Sequence, residues 1–528
     1  MKKSFVYIII IMMLLTGCSQ VGQFLPDGSA IELSTDSSDS SLDSPPESFD
    51  EVEAKLPEIE NKAFSAKYEA ETGKISGDLK LSQERKDYSG NGYITNFTLD
   101  IDNVFELSVN LPTNQHYDIS IVAASKEKQR NILTINGTNI SEFPISGNDK
   151  FEIITLRNVY IGKGTSIIGI TEVTGGIDID YISIKNSTAV SSITYTDKTE
   201  LINKGANTKT KNTMKYLVSN FGKNTISGQY ASIGANIEPE LIYKTTGKYP
   251  AIRLSDFIGY TSASVTNVNE TEESIKWASQ GGLVSYVWHW EAPMNEASYY
   301  SDQTTFDLSK AVSKTNIALL PIEDIEKMYD KGEVSKECVE IIKDIDIISQ
   351  QLKILQDNDV TVLWRPLHEA GGEWFWWGRS GKDAYKWLWK LLYERQTYYH
   401  KLNNLIWVWN AQNADWYVGD DLCDIISADI YASGNAGASQ VNTYLELLKI
   451  SKNKLLAISE CDTPPDIDNM LRDKAVWSYF GIWSGNYIIG PDNNLSEVYT
   501  TKDRLISMYN HKNVITRDEL PDLNTWGN

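Results

Sequence analysis

Apolar and polar residues alternate with a period of two through much of residues 61–186. Val104-Phe105-Glu106-Leu107-Ser108-Val109 and Tyr117-Asp118-Ile119-Ser120-Ile121 are the clearest runs, and 131–135, 166–170 and 177–184 repeat the pattern. Successive side chains of a strand point to opposite faces, so this period predicts strands with one face in a core. Asn136-Gly137, Gly147-Asn148 and Gly175-Gly176 punctuate the runs as turns. Short alternating strands at this spacing predict an antiparallel β-sandwich.

Beyond residue 186 a Ser/Thr-rich link leads to a different rhythm, in which short apolar runs alternate with longer amphipathic stretches. That is the pattern of repeated βα units around a parallel sheet. Eight runs read as strands: 226–230, 251–257, 283–289, 361–367, 405–410, 425–430, 455–459 and 479–483. Helical stretches fall between them at 335–356 and 383–403, the second with Tyr385, Leu388, Leu392 and Gln396 near one stripe. Eight strands over residues 187–528 predict a (β/α)8 TIM barrel with loop insertions. Each run turns polar or aromatic at its C-terminal end: Asp256, His289-Trp290, His368-Glu369, Asn410, Asp429 and Tyr431, Glu460, Trp483. In this architecture those ends form the catalytic face.

The N-terminus is different again. Lys2 and Lys3 precede an apolar run over 5–15, too short for the roughly 20 residues of a membrane-spanning helix and right for a signal-peptide core. It ends in Leu15-Thr16-Gly17-Cys18, which resembles the lipobox of bacterial lipoproteins. The resemblance implies that residues 1–17 are removed and Cys18 is acylated, anchoring an exported chain to the bacterial cell envelope. Residues 18–60, rich in Ser, Asp, Pro and Glu, bury too little to offset their ordering entropy and read as a flexible stalk. Residues 61–186 and 187–528 are then the two folded domains.

Composition narrows the chemistry. The chain of 528 residues carries 49 basic and 71 acidic side chains, a net charge of −22 that repels phosphate backbones and excludes nucleic acid as a partner. Four cysteines and five histidines, scattered, make neither a disulfide framework nor a Cys/His zinc module, which leaves any metal to oxygen ligands. All fifteen tryptophans lie at Trp277 or later, so the aromatic load belongs to the barrel.

Within the barrel, Trp364-Arg365-Pro366-Leu367-His368-Glu369 closes the fourth strand and runs into Ala370-Gly371-Gly372-Glu373-Trp374-Phe375-Trp376-Trp377-Gly378. A His-Glu-x-x-His zinc motif fails because position 372 is glycine. What remains is a carboxylic acid beside a histidine among four aromatic rings, whose flat faces suit pyranose C–H groups. The seventh strand supplies a second acid in Ser459-Glu460-Cys461-Asp462. Glycoside hydrolysis needs two such carboxyl groups. Glu373 competes with Glu369 for one role and Asp462 with Glu460 for the other.

Together with Ser227-Gly228-Gln229, Trp288-His289-Trp290-Glu291-Ala292-Pro293 and the ending from Tyr509-Asn510-His511 to Leu520-Pro521, these pieces resemble glycoside hydrolase family 26 from about residue 198 onward. The resemblance implies Glu369 as acid/base and Glu460 as nucleophile of a retaining β-mannanase. It places Tyr431 on the nucleophile, His289 and Trp483 around the attacked sugar, His368 beside the acid, and Trp374 on the leaving-group side. His289 also reads as a core histidine, and Tyr431 and Trp483 as rim packing. The expected substrate is mannan, glucomannan or galactomannan, cut without metal or cofactor by a monomer. Mixed-linkage β-glucan and β-1,3-xylan are alternatives within the same mechanism. A non-catalytic surface glycan-binding lipoprotein and a two-lobed solute-binding lipoprotein are readings of other classes.

The alternating domain resembles carbohydrate-binding module family 35, a jelly roll. The matching pieces are Tyr68-Glu69-Ala70-Glu71, Val109-Asn110-Leu111-Pro112, Leu133-Thr134-Ile135-Asn136-Gly137 and Gly176-Ile177-Asp178-Ile179-Asp180-Tyr181-Ile182. The resemblance implies a structural calcium held by Glu69, Glu71 and Asp180. Sugar binding does not follow from the fold alone, since no tryptophan occurs there and only Tyr88 and Tyr93 offer substitutes.

Overall fold

The computed structural model describes residues 49–527 apart from 54, 100–101, 173, 263–268 and 432–436. The leader over 1–17, Cys18 and the stalk up to 48 lie outside the described residues. Residues 49–60, expected to belong to the stalk, include backbone contacts to both domains. Val52 donates its N–H to the Asn510 carbonyl and accepts from Lys512 N–H, and Glu60 N–H donates to the Asn114 carbonyl. These residues complete open backbone edges of the two domains.

Among the described residues the first domain has eleven strands: β1 Ser65–Glu69, β2 Lys74–Ile75, β3 Lys80–Ser82, β4 Tyr93–Thr95, β5 Phe105–Leu111, β6 Gln115–Ala124, β7 Gln129–Ile135, β8 Thr138–Ile145, β9 Glu152–Ile161, β10 Gly164–Glu172 and β11 Asp178–Asn186. They form two antiparallel sheets, β3-β4-β11-β6-β9 with β1 on β11, and β2-β5-β10-β7-β8. Strand β5 alternates buried and exposed at every position, as its period requires. Strand β9 escapes the sequence pattern because its outward side carries the exposed Ile153 and, near its end, contacts with the second domain. Asn158 Nδ2 donates to Asn442 Oδ1 of the second domain at 2.8 Å, and the Arg472 guanidinium lies over the Tyr160 ring at 4.5 Å. On β6, His116 Nε2 meets Asp473 Oδ1 at 2.8 Å with both side chains buried.

In the second domain β12 Thr225–Ile226 pairs with β21 Val514–Ile515. The barrel closes through β13 Gly228–Tyr230, β14 Ile252–Asp256, β15 Leu283–Val287, β16 Val362–Arg365, β17 Leu405–Trp409, β18 Ile425–Ile430, β19 Leu455–Cys461 and β20 Phe480–Ile482. All neighbours in the barrel are parallel, so both faces of each strand are buried and the runs are continuously apolar rather than alternating. The first expected strand is split, its start pairing with the C-terminal tail and only its end entering the barrel. The helix Lys336–Asp357 starts on Ser335, whose hydroxyl accepts from Cys338 N–H. The helix expected over 383–403 ends at Glu394 and passes into a π-turn, Arg395–Tyr399. Arg395 there pairs with Asp346 through Nε at 2.5 Å, and Gln396 Oε1 accepts from Trp364 Nε1 at 2.9 Å. The extra residue of a π-turn aims both side chains at these partners.

Candidate active site

Two β-bulges set up the site. The register between β18 and β19 shifts between Ala428 and Asp429, where Asp429 pairs with Glu460 rather than Ser459. The β19–β20 ladder shifts over the same residues. A bulge re-aims the side chains beyond it. Carboxylate oxygens of Glu369, Asp429 and Glu460 come within 4.8 Å of one another as a result.

Arg365, the last residue of β16, is fully buried between them. It donates through Nη1 to Asp429 Oδ2 at 2.7 Å and through Nη2 to the Tyr230 hydroxyl at 2.8 Å and to Glu460 Oε1. Asn410 Nδ2 fixes the other Asp429 oxygen at 2.8 Å. The Tyr431 hydroxyl donates to Glu460 Oε2 at 2.9 Å. Glu460 is thus held at both oxygens, by charge-assisted bonds that are shorter and stronger than neutral ones. Sequence reasoning assigned no role to Arg365, Asp429, Asn410 or Tyr230. In the sequence, Asp429 and Asn410 stand out only by their position at strand ends.

Glu369 reaches the same cleft by an unusual path. Leu367 and Glu369 adopt left-handed backbone, φ 53° and 54°. Residues other than glycine hold such angles at a cost of about 1–3 kcal/mol and only where the surroundings impose them. Here Glu369 N–H donates to the Asn410 carbonyl at 2.6 Å and Gly371 N–H to the Ala411 carbonyl at 2.8 Å, clamping the turn to the end of β17. Position 372 is glycine because the Trp374 ring lies over it; a Cβ would fall 1.8 Å from that ring. Trp374 in turn donates Nε1–H to Glu369 Oε2 at 3.0 Å. Burial first, and the charge of Glu460 second, push the Glu369 carboxyl up to about 7, against the opposing charges of Arg365 and His289.

The remaining expected residues converge on the same place. His289 Nδ1 meets Asp256 Oδ2 at 2.5 Å, and its ring stands against those of His368 at 4.6 Å and Trp483 at 6.1 Å. Burial, reinforced by the charge of His289, pushes His368 well down, so it is neutral. Trp483 packs on Tyr230 at 4.4 Å. Glu373 is exposed, and Asp462 turns back to accept from Thr463 N–H at 2.6 Å. Of the four rings expected to face a sugar, only Trp374 is partly open. Phe375 is buried, and Trp376 and Trp377 lie in the core, donating to the carbonyls of Trp290 and His368. An indole N–H that finds a buried carbonyl has no reason to stay at the surface.

In the first domain the bulge between Ile179 and Tyr181 turns Asp180 inward, where Oδ1 accepts from Ser89 N–H at 2.9 Å. Ser89 also donates its hydroxyl to Glu69 Oε2 at 2.7 Å, and Glu71 Oε1 accepts from Asn91 N–H at 2.7 Å. Glu71 Oε2 is buried without a partner among the described residues. A Cβ on Gly90 would fall 2.3 Å from Glu71 Oε1 and 3.1 Å from the Glu69 carboxyl carbon. Beside this turn the rings of Tyr88, Tyr93 and Phe151 form one cluster.

Residues 202–519 match the family model of glycosyl hydrolase family 26, and residues 66–187 that of carbohydrate binding module (family 35). The chain is 33% identical over 478 residues to a mannan endo-1,4-beta-mannosidase of Thermothelomyces thermophilus, covering 88% of this chain and 92% of that protein. It is 34% identical over 473 residues to mannan endo-1,4-beta-mannosidase B of a Piromyces species, covering 87% and 77%. Among solved structures it resembles a Podospora anserina GH26-CBM35 beta-(1,4)-mannanase, with TM-score 0.59 and 32% identity over 87% of this chain and 99% of that one.

Proposed function

The chain belongs to glycosyl hydrolase family 26, and from that premise we propose that it cuts internal β-1,4-mannosidic bonds by double displacement. The approach of Glu369 and Glu460 oxygens to within 4.8 Å carries this reading. Retaining enzymes separate the two carboxyls by roughly 5–5.5 Å, inverting ones by roughly 6.5–9.5 Å to admit a water. Glu460, oriented by Arg365 and Tyr431, attacks the anomeric carbon. Glu369 gives its proton to the departing oxygen and so becomes a carboxylate. The covalent bond consumes the charge of Glu460, and with it one cause of the raised Glu369 pKa, so Glu369 can then take a proton from water. His289, His368 and Trp483 line the sugar at the attacked bond, and Trp374 flanks the leaving side. Reducing-end release on mannan, galactomannan, lichenan and β-1,3-xylan, with anomeric NMR of the first product from mannohexaose, tests the reading. Cleavage of mannans to the β anomer is expected; an α first product would refute the mechanism, and preferred cleavage of lichenan or xylan the substrate.

For the first domain, the buried Glu71 oxygen and the all-carboxylate donor set of Glu69, Glu71 and Asp180 suit a hard cation such as calcium, but their oxygens do not all lie within 4.8 Å of one another and would have to close around it. Bound there, it would tie the turn at Ser89–Gly90 to β1 and β11, with a structural role only. Lys67, whose ammonium lies 2.8 Å from Glu69 Oε1, would have to swing away. Acylation at Cys18 rests on the leader sequence and is tested by loss of lipid labelling in Cys18→Ala. A monomer is expected by sedimentation.

A further inference from the structure

Asp256 ends β14 and is not among the residues assigned a role above. Its two oxygens do different work. Oδ1 accepts from two backbone amides, Ile258 N–H at 2.9 Å and His289 N–H at 3.0 Å. Among the described residues, Oδ2 meets only the imidazole of His289, at Nδ1. An ionised carboxylate only accepts hydrogen bonds, so Nδ1 must carry a hydrogen. The nitrogen that faces outward from a pinned imidazole is set by the bond the other nitrogen makes. The ring is held on its other sides by His368, Phe375, Tyr299 and Trp483. Besides Asp256 and the neutral His368, the charged groups of Glu460 and Arg365 act on it.

We propose that Asp256 is a positioning residue for glycoside cleavage. It fixes His289 as the Nδ1–H form and presents Nε2 to the hydroxyls of the sugar attacked by Glu460. The proposal rests on the family 26 reading of the cleft, in which His289 touches that sugar.

Asp256→Asn isolates the effect. The amide oxygen can keep both backbone N–H bonds while the NH2 group lands on Nδ1, which then has to accept, leaving hydrogen on Nε2 only. The site keeps its shape while the imidazole loses the Nδ1 hydrogen and the carboxylate that favours its charged form, as happens when the aspartate behind a catalytic histidine is made asparagine.

The experiment uses the full chain, labelled with 15N at its five histidines. In the unmutated protein the His289 resonance should carry hydrogen on Nδ1, and in Asp256→Asn on Nε2 only. On mannohexaose, kcat/KM should fall about 10- to 100-fold, the range for mispairing one buried hydrogen bond, with unchanged circular dichroism. In a His289→Ala background, Asp256→Asn should cost nothing further. An Nε2-only His289 in the unmutated protein overturns the proposal, and that measurement needs no variant to fold. So does an equal loss in both backgrounds. An unmutated protein inactive on every mannan refutes the family reading instead, while the 15N result still reports on Asp256.

Discussion

The Tyr431 hydroxyl and Glu460 Oε2 lie 2.9 Å apart, bridging the ends of β18 and β19. Tyr431 remains a neutral donor, because burial and the surrounding carboxylates push its pKa well up. A hydrogen bond to a charged group contributes about 1.5–3 kcal/mol. Tyr431→Phe should therefore lower kcat/KM on a nitrophenyl mannobioside by about 10- to 100-fold while preserving the fold. Unchanged kinetics would place Tyr431 outside the reaction.

Glu369→Gln separates the two chemical steps. It removes the proton donor and the base, each contributing about 10²- to 10⁴-fold. Mannan hydrolysis should fall by that order. A substrate with a good leaving group should still form the glycosyl-enzyme, giving a burst and then a stall. Azide should restart turnover and yield a β-mannosyl azide. Absence of any burst would argue against Glu369 as the acid/base.

The Glu369 carboxyl, raised to about 7, is protonated in the free enzyme below that pH. The alkaline limb of kcat/KM should therefore fall near pH 7 and report this group. The linked stability has the same sign: it is complete below about pH 4.5 and is lost as pH rises through about 7. The Trp374 hydrogen bond is one of the influences that lower this pKa. Trp374→Phe should shift the limb upward; a downward shift would contradict the geometry.

His116 and Asp473 join the domains through a buried pair at 2.8 Å. Burial would raise the Asp473 carboxyl, but the hydrogen bonds from His116 and Arg472 outweigh it and hold it low. Its contribution is present above the usual carboxylate range and is lost as pH falls through the depressed value. Leaving one buried partner unpaired costs about 3–5 kcal/mol. Calorimetry on Asp473→Asn should show the two domains melting at separate temperatures, where the unmutated chain melts together.

Calcium should raise the melting temperature of the first domain, and EDTA should reverse the effect. Glu71→Gln should abolish the response, because it alters the carboxylate whose second oxygen is buried without a partner. An identical calcium response in the variant would remove Glu71 from the site.

The period-two runs of 61–186 and the eight apolar runs after 186 were legible because burial imposes them directly on the chain. A half-buried strand such as Phe105–Leu111 must alternate, and a barrel strand covered on both faces must be apolar throughout. Placement of Glu369 and Glu460 at strand ends was legible for the same reason. Strand β9 was not, since the exposed Ile153, a register shift against β6 and, near its end, a neighbouring domain break its alternation.

What only the tertiary structure decided is where side chains point. A bulge beside Ser459 sets the aim of Glu460, and a left-handed backbone at Leu367 and Glu369 brings the acid back over the cleft. Trp376 and Trp377 turn inward because buried carbonyls await their N–H groups. Arg365, Asp429 and Asp256 take their roles from partners 19 to 95 residues away: Asp429 from Asn410 at 19, Asp256 from His289 at 33 and Arg365 from Glu460 at 95. Hydrophobic periodicity is local, one residue against its neighbours on the same element. Hydrogen-bond partners and bulges depend on strands brought together by closure of the barrel, and so belong to the fold.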